Sequence, residues 1–426
     1  MARNFGRHSL WWKKGVGKME GRGRRSRGMS GEARRCPGKG SARCDFRGAG
    51  FVLLAAVLLM VDGAATVWAS EDDAGLCLGK IRFHGYGEFH YNSPRGTRFP
   101  DRTQSDQADA HRFVLEISYS WNDRWEVEAE VDFEHAATVM ELEELYVDYS
   151  PSAAINFRTG VVLMPVGPVN ERHEPTRFYS VERPQMDEVM IPTTWQELGA
   201  GFYGSLETPI PIRYRSYIVS GLDASNFDAA APIRAGRGHA AEANSFGASW
   251  VGRIEVDPVL GLTLGGSVYV GNAAVQSGNR EIGDGDVTLW EVDGRWRRGF
   301  FELQGRYSAL DIDNAAFITA NNGGNSDPVP ERAVAGLVEG ALHLGTWFFP
   351  DSEKDLVPFV RWEDINTQDK VPAGTVAKPQ LDRQILTTGL AFYPFEDLVF
   401  KADYESWDDA AGRSENRFNL GVGFVY

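Results

Sequence analysis

From Lys80 to Tyr426 apolar side chains recur at every second residue almost everywhere, and long stretches with a 3.6-residue period are missing. "RWEVEAEVDFE" sets Trp125, Val127, Ala129, Val131 and Phe133 on one face and Glu126, Glu128, Glu130, Asp132 and Glu134 on the other. A period of two is a β-strand with two unlike faces. Sixteen such segments are predicted, near 80–91, 109–121, 124–134, 141–149, 154–163, 195–207, 212–222, 246–257, 260–271, 286–297, 300–311, 334–349, 356–365, 383–393, 396–407 and 416–426. Most run 9–13 residues, which exceeds an ordinary soluble strand and approaches what a tilted membrane-crossing strand needs.

The connections alternate as well. Short ones ("ND", "SPSA", "TPIP", "PV", "RG", "PDSEKD", "PF") take turns with mostly longer ones at 92–108, 135–140, 164–194, 223–245, 272–285, 312–333, 366–382 and 408–415. Aromatics flank the short turns in "YSWNDRW", "WFFPDSEKDLVPF" and "FYPFEDLVF", as in an interfacial girdle. A soluble sandwich buries one face of each strand and has no use for five successive acids on the other. The expected fold is therefore all-β: a transmembrane antiparallel β-barrel of about 16 strands spanning 80–426. Side chains of the wall alone do not fill so wide an interior, which implies a water-filled channel.

The N-terminal part differs in charge. Residues 1–69 carry a net +10, and the remainder carries −25. "FVLLAAVLLMV" (51–61), preceded by arginines and followed by Val67-x-Ala69, reads as a signal peptide cleaved after Ala69. The expected division is 1–69 basic extension plus signal, 70–79 a short periplasmic lead, then the barrel with no plug domain. The long stretch ahead of the apolar run suggests Met29 as a later start. Cleavage removes Cys36 and Cys44, and Cys77 alone makes no intramolecular disulfide.

Phosphate-loop, HExxH, GxSxG and CxxC motifs do not occur. The eight histidines show no metal-site spacing, so no metal and no cofactor are expected. Expected lumen-wall residues are Glu126, Glu128, Glu130, Asp132, Arg158, Arg213, Arg215, Arg253, Arg295, Arg297, Arg306 and Arg361. Acids and arginines on opposite walls would set up a transverse field. The loop 164–194, with five prolines and mixed charge, is expected to fold inward and narrow the pore. Its Glu171, Arg172, His173, Glu174, Arg177, Glu182 and Arg183 are the expected constriction.

The sixteen segments, the terminal aromatic and the opening "KIRFHGYGEFHYN" resemble Gram-negative outer-membrane porins. The stretch from "PVGPVNERHEP" through "FYSVERP" to "IPTTWQELGAGFYG" is similar to porins related to the phosphate-selective porin superfamily. The resemblance implies a passive diffusion channel for small hydrophilic solutes or ions in the outer membrane, a constriction made by the third external loop, and a homotrimer. It also implies contact with outer-membrane lipid and lipopolysaccharide, and reading of the terminal Tyr426 by the barrel-assembly machinery. Nucleic acid is not an expected partner. Phosphate or anion selectivity is the alternative, but five mature lysines and a net −25 are a poor default for attracting a dianion. A barrel enzyme or adhesin is the alternative of another class; no nucleophile–base cluster is evident for the first and no recognition motif for the second.

Overall fold

The computed structural model describes residues 68–69, 76–78, 80–95, 105–241, 247–277, 280–322 and 327–426. Residues 1–67, which hold the expected leader up to Val67, lie outside the described part. The barrel strands are β1 (Ile81–Arg95), β2 (Gln107–Asn122), β3 (Trp125–Glu134), β4 (Val139–Tyr149), β5 (Asn156–Leu163), β6 (Gln196–Leu206), β7 (Ile212–Val219) and β8 (Ser249–Val259). They continue as β9 (Leu262–Ser277), β10 (Arg280–Arg298), β11 (Phe301–Ile312), β12 (Arg332–Leu342), β13 (Asp355–Lys370), β14 (Asp382–Phe395), β15 (Leu398–Asp409) and β16 (Ser414–Val425). Each pairs antiparallel with the next, and β16 pairs antiparallel with β1 from Asn416↔Arg95 to Val425↔Tyr86. An even number of strands in an up-and-down meander is what lets the last meet the first antiparallel. Closure leaves no unpaired edge among them, which a bilayer demands. Two short strands, Trp68–Ala69 and Leu76–Leu78, pair with each other, and the second adds to the foot of β1.

The alternation places side chains as the period demands. On β16, Phe418 and Leu420 are exposed on the outer surface while Asn419, Gly421 and Gly423 are buried inside. Phe113, Ile117, Leu145, Phe202, Trp250, Leu386 and Phe400 continue the apolar outer surface. Trp121, Trp125, Trp296, Phe300, Trp347 and Phe395 stand exposed at the short-turn end, the place of an interfacial girdle. At the seam the Tyr426 ring stacks on Phe113 at 5.8 Å and its hydroxyl donates to the Val114 carbonyl.

The two largest departures from the expected boundaries are these. The segment 334–349 stops as a strand at Leu342, and Gly345–Phe348 form a single helical turn, α3 in the chain after α1 (Gln185–Val189) and α2 (Ala315–Asn321). Aromatic runs carry the same apolar signal in either geometry. The expected loop 272–285 is mostly strand, because β9 and β10 keep pairing up to Ser277↔Arg280. Polar cross-strand contacts such as Asn272 Nδ2 to Asp284 (2.9 Å) support that extension where water is present.

Inside, the long-loop half of the barrel holds an apolar cluster. Wall residues Tyr269, Val287, Leu289, Leu310, Leu337, Ile365 and Ile385 meet Phe227, Ile233 and Ile318 from loops that fold over the mouth. Where the inner face is apolar as well as the outer one, the hydropathy alternation fades although the faces stay distinct, as in "VTLW" (287–290) and "AVAGLV" (333–338), whose Val338 stands exposed outside.

Candidate functional site

The chain leaves β5 through "MPVGPV", where Pro165 and Pro168 offer no N–H for a ladder. Gly167 turns with φ +66°, a left-handed value suited to glycine, and its N–H donates to Ser267 Oγ across the lumen. Asn170 clasps the base of the loop. Its Nδ2 donates to the carbonyls of Met164 (2.8 Å) and Trp195 (2.9 Å), and its Oδ1 accepts from the Trp195 N–H (2.8 Å). With its ends joined this way, the segment 164–195 is closed at its base. Met164, Val166, Met186, Met190, Ile191 and Trp195 are fully buried in the interior cluster, so its apolar side chains carry it inward.

Polar contacts fasten it on every side. Toward β1–β4, Glu182 accepts from Asn92 Nδ2 (2.8 Å) and bonds His90 Nδ1 (3.1 Å). His173 bonds Tyr86 Oη (2.7 Å) and Glu143 (3.1 Å), and Arg112 donates to the His173 carbonyl (3.1 Å). Toward β7 and β8, Glu171 pairs with Arg215 (2.8 Å) and Arg172 with Glu255 (3.3 Å). On the far wall Arg306 holds both oxygens of Asp187 (2.8 and 2.7 Å), and the Met186 N–H donates to Glu363 (2.9 Å). Tyr179 Oη donates to Glu302 (3.0 Å), Lys401 Nζ to the Ser180 carbonyl (2.8 Å), and the Val181 N–H to Asp403 (2.5 Å).

Of the seven expected constriction residues, Glu171, Arg172, His173 and Glu182 bridge loop to wall as just described. Glu174 and Arg177 meet each other within the loop at 3.7 Å. Arg183 lies half-buried, and burial together with the nearby Arg112 charge holds its pKa below the usual guanidinium value.

The wall arginines do not stand opposite the acids across open water. Arg158 forks onto Asp148 (2.9 and 2.9 Å) and lies over the Tyr146 ring. Arg213 engages Asp257 and Glu255, and Arg253 engages Glu255, Glu291 and Asp293. Arg295 forks onto Glu302 and Arg361 bonds Glu363 and Glu339, while Arg297 is half-buried on β10. The transverse field is thereby corrected to local pairing. Inward neighbours along one strand and on nearby strands sit within reach of one another, and attraction at contact distance outweighs attraction across the barrel.

The acidic side is less balanced. Glu126 meets Arg82 and Ser120, Glu128 accepts from Tyr146, and Glu130 accepts weakly from Tyr86 (3.4 Å). Asp132 is buried, and neither of its carboxylate oxygens has a hydrogen-bond partner among the described residues; Arg112 is 3.9 Å away. Glu143 was not expected here. The register slips between Glu130↔Glu144 and Val131↔Leu142, and this bulge turns Glu143 inward beside Glu144. A phase slip in "ELEELYVDY" is the sequence trace of it. Tyr86, Arg112, Asn170, Asp187, Lys401 and Asp403 were also unforeseen, since their roles depend on where the loop seats.

No family model matches the chain. A protein of Aquifex aeolicus (strain VF5) known only as uncharacterized is 30% identical over 361 residues, covering 81% of this chain and 80% of the relative. Among solved structures, Salmonella typhi OmpF in complex with daunomycin has a TM-score of 0.53 at 9% identity, covering 81% of this chain and 97% of that one. The anion-selective porin from Comamonas acidovorans scores 0.52 at 9% identity, with 81% and 99% covered. The trimer form of OmpT from Vibrio cholerae scores 0.52 at 11% identity, with 83% and 100% covered. Likeness at this level of identity speaks to the fold, which is that of outer-membrane porin barrels.

Proposed function

The chain belongs to the same family as the uncharacterized Aquifex aeolicus protein, and from that premise and the barrel fold we propose a passive channel for small hydrophilic solutes or ions in the outer membrane. The loop 164–195 sets its conductance. The observation that carries the reading is the charge layout inside the closed barrel. Around β1–β4 the wall gathers Glu88, Glu116, Glu128, Glu130, Asp132, Glu143 and Glu144, all buried, against few cations. On the other side Arg158, Arg213, Arg253, Arg295, Arg306 and Arg361 each already meet a carboxylate. An interior of that kind favours cations over anions and gives little support to a phosphate filter. A homotrimer is part of the same reading, supported by the trimer form of one structural neighbour. Export, assembly through the terminal Tyr426, and contact with lipid and lipopolysaccharide belong to it as well.

Planar-bilayer recording of the purified protein in a potassium chloride gradient tests the proposal. Stepwise conductance is expected, with a reversal potential on the cation-permeable side. The double variant Glu128→Gln/Glu130→Gln is expected to shift that potential toward zero. Absent conductance at high protein would leave a structural barrel, adhesin or enzyme as the better reading. A chloride preference would favour the anion channel.

A further inference from the structure

Three of the histidines meet at the long-loop end of the barrel, and a bulge is the reason. Glu88 pairs with Arg112 and Phe89 with Ala110, so His111 is an extra residue on β2. Extra residues of this kind re-aim a side chain, and here both His111 and Arg112 lie on the inward side. The His90 ring, inward from β1, stacks on His111 at 4.2 Å and 14°. His135 opens the turn after β3 and stands edge-on to His111 at 5.5 Å and 82°. Its N–H donates to the His111 carbonyl at 3.0 Å, which fixes the turn over that ring. Asp109 Oδ2 lies 2.6 Å from His135 Nδ1 and 3.3 Å from His111 Nδ1. One ligand atom from each of these three residues falls within 4.8 Å of the other two.

We propose that Asp109, His111 and His135 form a binding site for a divalent transition-metal ion at the external mouth. Two imidazole nitrogens and one carboxylate oxygen suit zinc, nickel or copper rather than magnesium or calcium. The shared Asp109 oxygen now bridges both rings. With a metal bound, it and the two facing ring nitrogens turn to the ion, and the displaced Nδ1 protons pass to Nε2 or to water. Three protein ligands leave further positions for solvent. The site opens outward: the side chain of His135 is 50% exposed and that of Asp109 29%. A neighbouring grouping of His90, His111 and Glu182 shares the central histidine. There His90 already bonds Glu182 and Glu88, each at 3.1 Å, so it anchors the loop. The metal site therefore sits one stacked ring away from the loop's attachment to β1.

The test uses the full-length protein, folded in detergent and free of any affinity tag. Titration with zinc by calorimetry is expected to give one saturable equivalent. Copper loading should give an electron paramagnetic resonance signal split by two imidazole nitrogens. His135→Gln and His111→Gln should each weaken zinc binding by more than about tenfold, whereas His239→Gln, outside the grouping, should not. His135 lies in an exposed turn, so its variant retains the barrel, and the nitrogen count on the wild-type protein is an independent reading. Absence of saturable binding, unchanged binding in the His111→Gln/His135→Gln double variant, or a copper signal without two nitrogens would each overturn the proposal.

Discussion

Gly423 lacks a side chain because Pro175 occupies the space where one would project. A Cβ built there lies 2.4 Å from Pro175 Cβ, and one on Gly421 lies 3.1 Å from Val181 Cγ1. The alternation of the last strand shows these glycines facing inward; it does not show what they face, since the loop lies about 250 residues earlier in the chain. Gly423→Val should push Pro175 away, raising single-channel conductance and lowering stability by about 1–3 kcal/mol, as overpacking does. Paired conductance recordings and denaturant titrations check both. Arg306 gives a sharper case. Replacing it with Ala strands the fully buried Asp187. The expected loss is about 3–5 kcal/mol, with partial recovery in the Arg306→Ala/Asp187→Asn pair.

At the scale of elements, strands were legible because oil and water impose a period of two that few other structures imitate. The bulges at His111 and Glu143 were not, because one inserted residue only shifts the phase. The inward loop was legible by its prolines, length and position; its attachment points were not. Glu182 shows how attachment is tuned. Burial would raise its carboxyl, but the His90 charge and hydrogen bonds from His90 and Asn92 hold it well below the ordinary carboxylate value. A folded-state value below the unfolded one stabilises the seated loop at neutral pH. That contribution fades as pH falls below about 4.3 toward the lowered value. Amide exchange at 180–183, corrected for intrinsic rates, should therefore quicken on acidification, and less so in Glu182→Gln.

For the whole molecule, strand count and loop alternation were sufficient to anticipate a closed barrel, because an open sheet has no stable place in a bilayer. The apolar half of the interior escaped notice. Inward positions were assigned to water, whereas Tyr269, Leu289 and Leu310 meet loop side chains instead. The seam adds a point about order of events. The loop leans on the last strand through Pro175 and Val181 and on the first through Glu182. Those two surfaces come together only when β16 reaches β1, so the loop has no complete seat in a barrel still ajar. Seating then acts as a bolt thrown after the door shuts: it rewards finished barrels over unfinished ones and ties the narrowness of the passage to the completeness of its wall.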